Sequence, residues 1–167
     1  MKKLFAFLLA GALVLSASPA VAAPPKCTSS QTAALNSQQA VVTSYQRTVT
    51  NDTKKSNDAV SALQKANASA TALNAKIIAS QKKITELLAN VAKNAKSSPS
   101  IARGYQSQAD SEAKNLKSLQ TSYKWAASDV DKATKVANST SASLKSSTSN
   151  LQFQQKKLTD LAAKCTR

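Results

Sequence analysis

Apolar residues recur at alternating steps of three and four along two long stretches of the chain. On this spacing, thirteen of eighteen positions from Leu35 to Asn94 are apolar or tyrosine, as are fourteen of eighteen from Ala102 to Leu161. A seven-residue repeat that continues without a skip is typical of a left-handed coiled coil. The pattern therefore predicts an all-α fold in which two long helices pack along one seam.

Residues that end helices are almost absent from the part of the chain that carries the repeat. After residue 25, the only proline and the only glycine are Pro99 and Gly104. Sheets with tight turns require many more of both. We predict one domain over residues 23–167, with helical arms at about 28–96 and 100–165 and a turn at 97–99. Folding there pairs Asn94 with Ala102 and Leu35 with Leu161, in a long antiparallel two-helix coiled-coil hairpin.

The predicted seam has polar positions that leave a second architecture open. Asp52 is expected to face Leu144, and Glu112 to face Ile84. Residues 50–53 and 138–141 are poor helix formers that lie at the same height in the hairpin. If both arms bent there, the chain would form a four-helix bundle. The unbroken repeat favours the hairpin.

Two cysteines, Cys27 and Cys165, lie on either side of the predicted turn, which is close to halfway between them. Folding at the turn brings them together, so we predict a disulfide bond between them. In the chain-entropy model, closing so large a loop contributes about 5 kcal/mol of stability. A bridge between two chains is the alternative. Redox catalysis usually requires a Cys-x-x-Cys arrangement, which the sequence lacks.

The first 22 residues have the pattern of a secretory signal peptide. Lys2 and Lys3 precede an apolar stretch at 4–15, and Ala20-Val21-Ala22 fits a cleavage site. The apolar stretch is short for a membrane span of about 20 residues. We therefore expect cleavage after residue 22 and a secreted, periplasmic or cell-envelope protein. Such compartments also allow disulfides to persist.

Positive charge is the main surface signal in the sequence. The formal net charge of +15 becomes +13 when the two leader lysines are removed. Such a chain attracts polyanions, for example cell-wall polymers, anionic lipids or nucleic acid. The candidate contacts are the basic doublets Lys54, Lys55, Lys82, Lys83, Lys156 and Lys157. Lysine also keeps a helix rich in alanine and serine soluble, so this reading stays open.

Several apolar residues fall outside the predicted seam, and Trp125 is the largest of them. They either cover the seam or widen it to receive a partner helix, from another protein or from a second copy. A tryptophan is a natural anchor for such a contact.

Residue types that carry chemistry are scarce. The sequence has no histidine, so it offers no imidazole base and no histidine-based metal site. Its eight carboxylates are dispersed, and it has no glycine-rich phosphate loop. We expect no enzymatic activity, no catalytic, cofactor or metal residues, and no small-molecule substrate. Aromatic residues are not interleaved with arginine, so sequence-specific binding of nucleic acid is not expected either.

A leader followed by a coiled-coil hairpin resembles, in architecture only, the N-terminal regions of secreted bacterial cell-wall hydrolases. The basic helical arms resemble those of periplasmic holdase chaperones of the Skp family, whose β-stranded body has no candidate strands here. The sequence favours an exported, non-enzymatic interaction or structural protein of the bacterial envelope. A cationic protein that binds polyanions or membrane surfaces is the alternative. A secreted membrane-active factor and a holdase chaperone are further alternatives.

Overall fold

Residues 27–165, which the computed structural model describes, form two long α-helices joined by a short connector. Helix α1 spans Ser29–Asn94, and helix α2 spans Pro99–Lys164. The helices pack against each other and no strand lies within 27–165, so the predicted all-α hairpin is confirmed. The predicted signal peptide at 1–22 lies outside the described residues.

Both helices begin at residues suited to a helix start. The Thr28 hydroxyl accepts a hydrogen bond from the Gln31 amide N–H (3.2 Å), and Gln31 Oε1 accepts one from the Thr28 N–H (2.8 Å). This reciprocal pair is a capping box, which satisfies two amide donors at the start of α1. Pro99 is the first residue of α2, where its lack of an N–H costs nothing and its fixed φ suits a helix.

Burial follows the seven-residue repeat along both helices. Of the thirty-six positions predicted for the seam, all but Tyr123 are buried or half-buried. Tyr123 keeps 37% of its surface exposed. Most of the best-buried positions carry small side chains: Ser56, Ala59, Ser80, Ala102, Ala109, Ala126, Ala137 and Ser147. Such positions bury little apolar area, so the leucine, isoleucine and valine residues of the seam contribute most of the hydrophobic stabilisation.

The helices continue through the segments where a bend was considered. Neither residues 50–53 nor residues 138–141 interrupt α1 or α2. The hydroxyls of Thr50 and Thr53 donate to the carbonyls of Gln46 (3.0 Å) and Val49 (2.8 Å), one turn earlier in the same helix. Such back-bonding destabilises a helix slightly, yet α1 remains continuous through this segment. The alternative of four separate helices is wrong.

The pairing of the two helices differs from the prediction by about one helical turn. The Gln38 side chain, predicted opposite Leu158, donates to the carbonyl (3.1 Å) and to Oε1 (3.0 Å) of Gln154. The predicted pairs were centred on Ser98. The connector is instead residues 95–98, and the helices are symmetric about the Lys96–Ser97 bond. Each α1 residue consequently lies beside an α2 residue nearer the N-terminus of α2 than predicted.

The described residues divide into two compact units, and both helices contribute to each. One unit contains the residues up to Asn57 together with those from Thr140 onward, and includes both cysteines. The other contains Asp58–Ser139 and includes the connector.

Candidate functional site

A disulfide bond joins the segment before α1 to the residue after α2. Cys27 and Cys165 are bonded, with their Cα atoms 4.7 Å apart and a sequence separation of 138. Cys165 is only 6% exposed. The predicted intramolecular disulfide is confirmed, and it rules out the interchain bridge for these two residues in this form of the chain.

Gln31 connects the same two helix ends without a covalent bond. Its Oε1 caps α1 through Thr28, and its Nε2 donates to the carbonyl of Lys164 at 3.4 Å. Carbonyls in the last turn of a helix have no partner within the helix. One side chain therefore satisfies unpaired groups at the start of α1 and at the end of α2, beside the disulfide.

The second unit contains a polar cluster around Glu112, on the seam side of α2. Glu112 accepts hydrogen bonds from the Ser80 hydroxyl (2.7 Å), the Lys83 ammonium (2.9 Å) and the Asn115 amide (3.0 Å). Only 13% of the Glu112 side chain is exposed, whereas 61% of the Lys83 side chain is. Ser80 is 4% exposed. A half-buried carboxylate is thus satisfied by donors from both helices.

These donors change the acidity of the carboxyl group. The hydrogen bonds from Lys83, Ser80 and Asn115 favour the ionised form and lower the pKa of Glu112 from 4.5 to about 2, although burial opposes them. Glu112 is therefore ionised throughout the physiological range. Its contacts fix the alignment of α1 and α2, because a shift by one turn would separate the carboxylate from Ser80.

The sequence predicts Glu112 as a polar seam position opposite Ile84, but it does not reveal this cluster. The missing information was the alignment of the helices, which moves Ser80 and Lys83 into reach. A usable signal was nevertheless present. Polar residues fall at seam positions in both helices, and both Ser80–Glu112 and Gln38–Gln154 pair if the turn is centred on Lys96.

The lysines of the predicted basic doublets differ from one another in their contacts. Lys83 is bound to Glu112, Lys55 lies 4.0 Å from Asp52, and Lys82 lies 3.8 Å from Glu86. The ammonium group of Lys157 lies 4.6 Å from the centre of the Phe153 ring. Lys54 and Lys156 have no ion-pair partner within the part of the chain that is described.

Basic residues nonetheless recur on the outward faces of the helices. If Leu35 and Ala102 are labelled a in the heptad abcdefg, the f positions point away from the seam. In α1 they include Arg47, Lys54 and Lys82, and in α2 they include Lys114, Lys135 and Lys156. No acidic residue occupies an f position in either helix, and all six basic residues are exposed. We call the two sets the outer basic lines.

Trp125 lies in an open groove on one side of the seam. The groove is lined by Lys65, Ala66, Ser69 and Leu73 of α1 and by Ser122, Trp125, Ala126 and Asp129 of α2. Trp125 is 71% exposed, so it does not cover the seam tightly. Its surroundings are of mixed polarity and carry both signs of charge. The structure describes no partner at this groove, and the predicted role as an anchor stays a prediction.

Residues 27–165 offer neither a metal-binding cluster nor a segment suited to span a membrane. No group of three or more cysteine, aspartate and glutamate residues could hold a metal ion there. No helix within that range is long and apolar enough to cross a membrane. The chain matches no protein-family model, no curated protein and no solved structure.

Proposed function

We propose that this protein is an exported, non-enzymatic coiled-coil protein that serves as an interaction or structural element of the bacterial cell envelope. The Cys27–Cys165 bond is the observation that supports this proposal most directly. Structural disulfides form and persist in oxidising compartments and are rare in the cytosol. The signal-peptide pattern at 1–22 agrees with such a compartment on independent grounds.

The distribution of side chains also supports an interaction role. The best-buried positions carry mainly alanine and serine, while the lysines, Trp125 and Phe153 lie on the outside. Most of the surface of each helix is therefore available to other molecules. A closed helical hairpin of this kind suits a spacer or adaptor, whose task is to hold a surface in place.

Export can be tested by expressing the full chain in a bacterial host and separating the cytoplasmic and extracytoplasmic fractions. We expect a processed protein outside the cytoplasm that begins at Ala23 and does not react with a thiol-specific maleimide until it is reduced. A variant without residues 2–22 is the control and should remain cytoplasmic with reactive thiols. An unprocessed, reduced full-length chain in the cytoplasm would contradict the proposal.

A second candidate function, binding of polyanions, is favoured by the outer basic lines. Three lysines of α2, Lys114, Lys135 and Lys156, recur at intervals of 21 residues on one line without an acidic residue. Contacts between such a line and an anionic polymer release counterions, and binding therefore weakens as salt rises. Teichoic acid, vesicles with anionic lipid, and DNA are suitable probes.

Two variants of equal net charge show whether the position of the lysines controls binding. The variant K114Q/K135Q/K156Q removes three charges from the outer line, and K117Q/K124Q/K145Q removes three exposed lysines elsewhere on α2. On DNA we expect the first variant to reduce the slope of log K against log salt by about 0.9 for each lost contact. The second should change the slope less. Equal effects would show that only total charge matters.

A further inference from the structure

One face of α1 within the second unit carries no charge. Its residues follow one another at alternating steps of four and three. They alternate between positions that border the seam and positions one step further from it. We call them the neutral face: Val60, Gln64, Asn67, Thr71, Asn74, Ile78, Gln81, Thr85, Leu88 and Ala92. Over the same part of α1 the charged residues occupy other faces: Lys65, Lys76, Lys82, Lys83 and Glu86.

The neutral face lies on the side of the seam opposite the Trp125 groove. In the heptad its residues occupy positions e and b, whereas Lys65 and Ser69 of the groove occupy c and g. Positions e and b lie on one flank of a seam formed by a and d, and c and g lie on the other. Contacts at the neutral face would therefore involve neither Trp125 nor the Glu112 cluster.

The neutral face is open and partly apolar. Ile78 is 58% exposed and Leu88 is 45% exposed, and both are spaced among exposed glutamine, asparagine and threonine side chains. Nothing within the described residues covers them. Isolated exposed apolar residues are common, but here they share a face from which every charge is missing.

From this arrangement we infer that the neutral face binds the neutral face of a second copy of this chain. Amide and hydroxyl groups each donate and accept hydrogen bonds, so two identical faces of this composition complement each other. A two-fold dimer requires such self-complementarity, because the same patch serves on both copies. A face of lysines could not meet its own copy in this way.

Charge on the rest of the unit also selects this face. Residues 58–139 carry twelve Lys/Arg and six Asp/Glu, so two copies repel each other at long range. An approach through the outer basic lines would bring like charges together. The neutral face itself brings no charge into the contact. A polyanion, by contrast, meets no cationic group there.

The size of the face sets the strength of the contact. Residues 60–92 extend over about 50 Å at 1.5 Å per residue, and a helix is about 10 Å wide. The dimer would bury about 500 Å² on each copy, which is near the lower limit for a specific interface. We therefore expect a reversible dimer with a Kd of about 10 μM. Its Kd should fall as salt rises, because screening weakens the repulsion between two cationic copies.

Sedimentation of the oxidised chain from about 1 μM to about 1 mM tests the inference. The variant T71K/I78K places two charges in the middle of the neutral face. The matched control A72K/A79K adds the same charges one residue further along, on the other flank of the seam. Circular dichroism shows whether each variant keeps its helices. We expect the unmodified chain and A72K/A79K to dimerise, and T71K/I78K to remain monomeric.

Three results would overturn the inference. The first is an unmodified chain that stays monomeric throughout this range. The second is a T71K/I78K variant that still dimerises, since the contact would then involve another face. The third is an equal loss in A72K/A79K, since total charge and not position would then control assembly. None of these results bears on whether the protein is exported, so the proposed function is tested separately.

Discussion

The carboxylate of Glu112 on α2 accepts a 2.7 Å hydrogen bond from the hydroxyl of Ser80 on α1. Ser80 is among the best-buried residues of the chain, at 4% exposure. The bond therefore joins the two helices across their seam at a place where an unpaired polar group would cost about 1–3 kcal/mol. It fixes the alignment of the two helices more specifically than an alanine layer does, because alanine layers tolerate sliding.

The stability of the hairpin should depend on pH through Glu112. Its folded-state pKa of about 2 lies below the ordinary 4.5. Its ionised form therefore stabilises the fold above pH 4.5, and this contribution is lost as pH falls from 4.5 towards 2. We expect the unmodified chain to be more stable than E112Q at pH 7, with the difference shrinking over that interval. Urea unfolding at several pH values measures it, and a difference that is constant with pH would contradict the assignment.

Removing the disulfide should destabilise the chain more than any other single change. In the chain-entropy model, a loop of this size contributes about 5 kcal/mol, because the bond restricts the unfolded chain. The double variant C27S/C165S should lose a large part of this free energy of unfolding relative to the oxidised chain. The reduced unmodified chain is the control, and it should behave like the variant. Equal stability of the oxidised and reduced forms would show that the loop constraint contributes nothing.

Adjacent leucines near the end of α1 provide a matched test of the seam. Leu87 is 8% exposed and Leu88 is 45% exposed. Leu87→Ala removes buried methyl groups from the seam, so we expect a loss of about 2–5 kcal/mol. Leu88→Ala should cost about 1 kcal/mol or less. Urea unfolding at about 1 μM protein, below the expected dimer Kd, keeps dimerisation out of the comparison. Equal losses would mean that α1 is rotated about its axis relative to the structure.

Gln31→Ala should loosen both helix ends beside the disulfide. The substitution removes the partner of the Thr28 N–H and the donor to the Lys164 carbonyl. Loss of a cap costs about 1 kcal/mol, and amide exchange should accelerate in the first turn of α1 and the last turn of α2. Gln39→Ala, at an exposed position of α1, is the control. Faster exchange in the first turn of α1 alone would show that the bond to Lys164 contributes little.

The period of the apolar positions was sufficient to predict both helices and the residues that are buried in the seam between them. Tyr123 was the exception, because its ring keeps 37% exposure among layers of small residues that leave little depth. The position of the turn was less predictable. Pro99 was read as part of the turn, whereas it begins α2. Proline is compatible both with a turn and with the first position of a helix. The spacing of the alanines does not distinguish these two positions.

The error in the turn explains why the Glu112 cluster was missed. A shift of about three residues at the connector moves every predicted pair by about one helical turn. Alanine layers look the same after such a shift, so they carry little information on alignment. The polar seam residues, such as Gln38 and Gln154, do carry it, because their hydrogen bonds have fixed partners. Composition predicted the charge but not the outer basic lines or the neutral face, which follow only from assigning every residue to a helix face.

The bond between Cys27 and Cys165 also indicates that the chain has been synthesised completely. Cys27 precedes α1 and Cys165 follows α2, so the bond can close only after both helices have been synthesised. A chain that is cut short anywhere within α2 retains Cys27 as a single reactive thiol. The complete hairpin has no free cysteine within the described residues. Thiol reactivity therefore distinguishes unfinished or unpaired molecules from mature ones, and quality control that surveys exposed thiols would retain only the former.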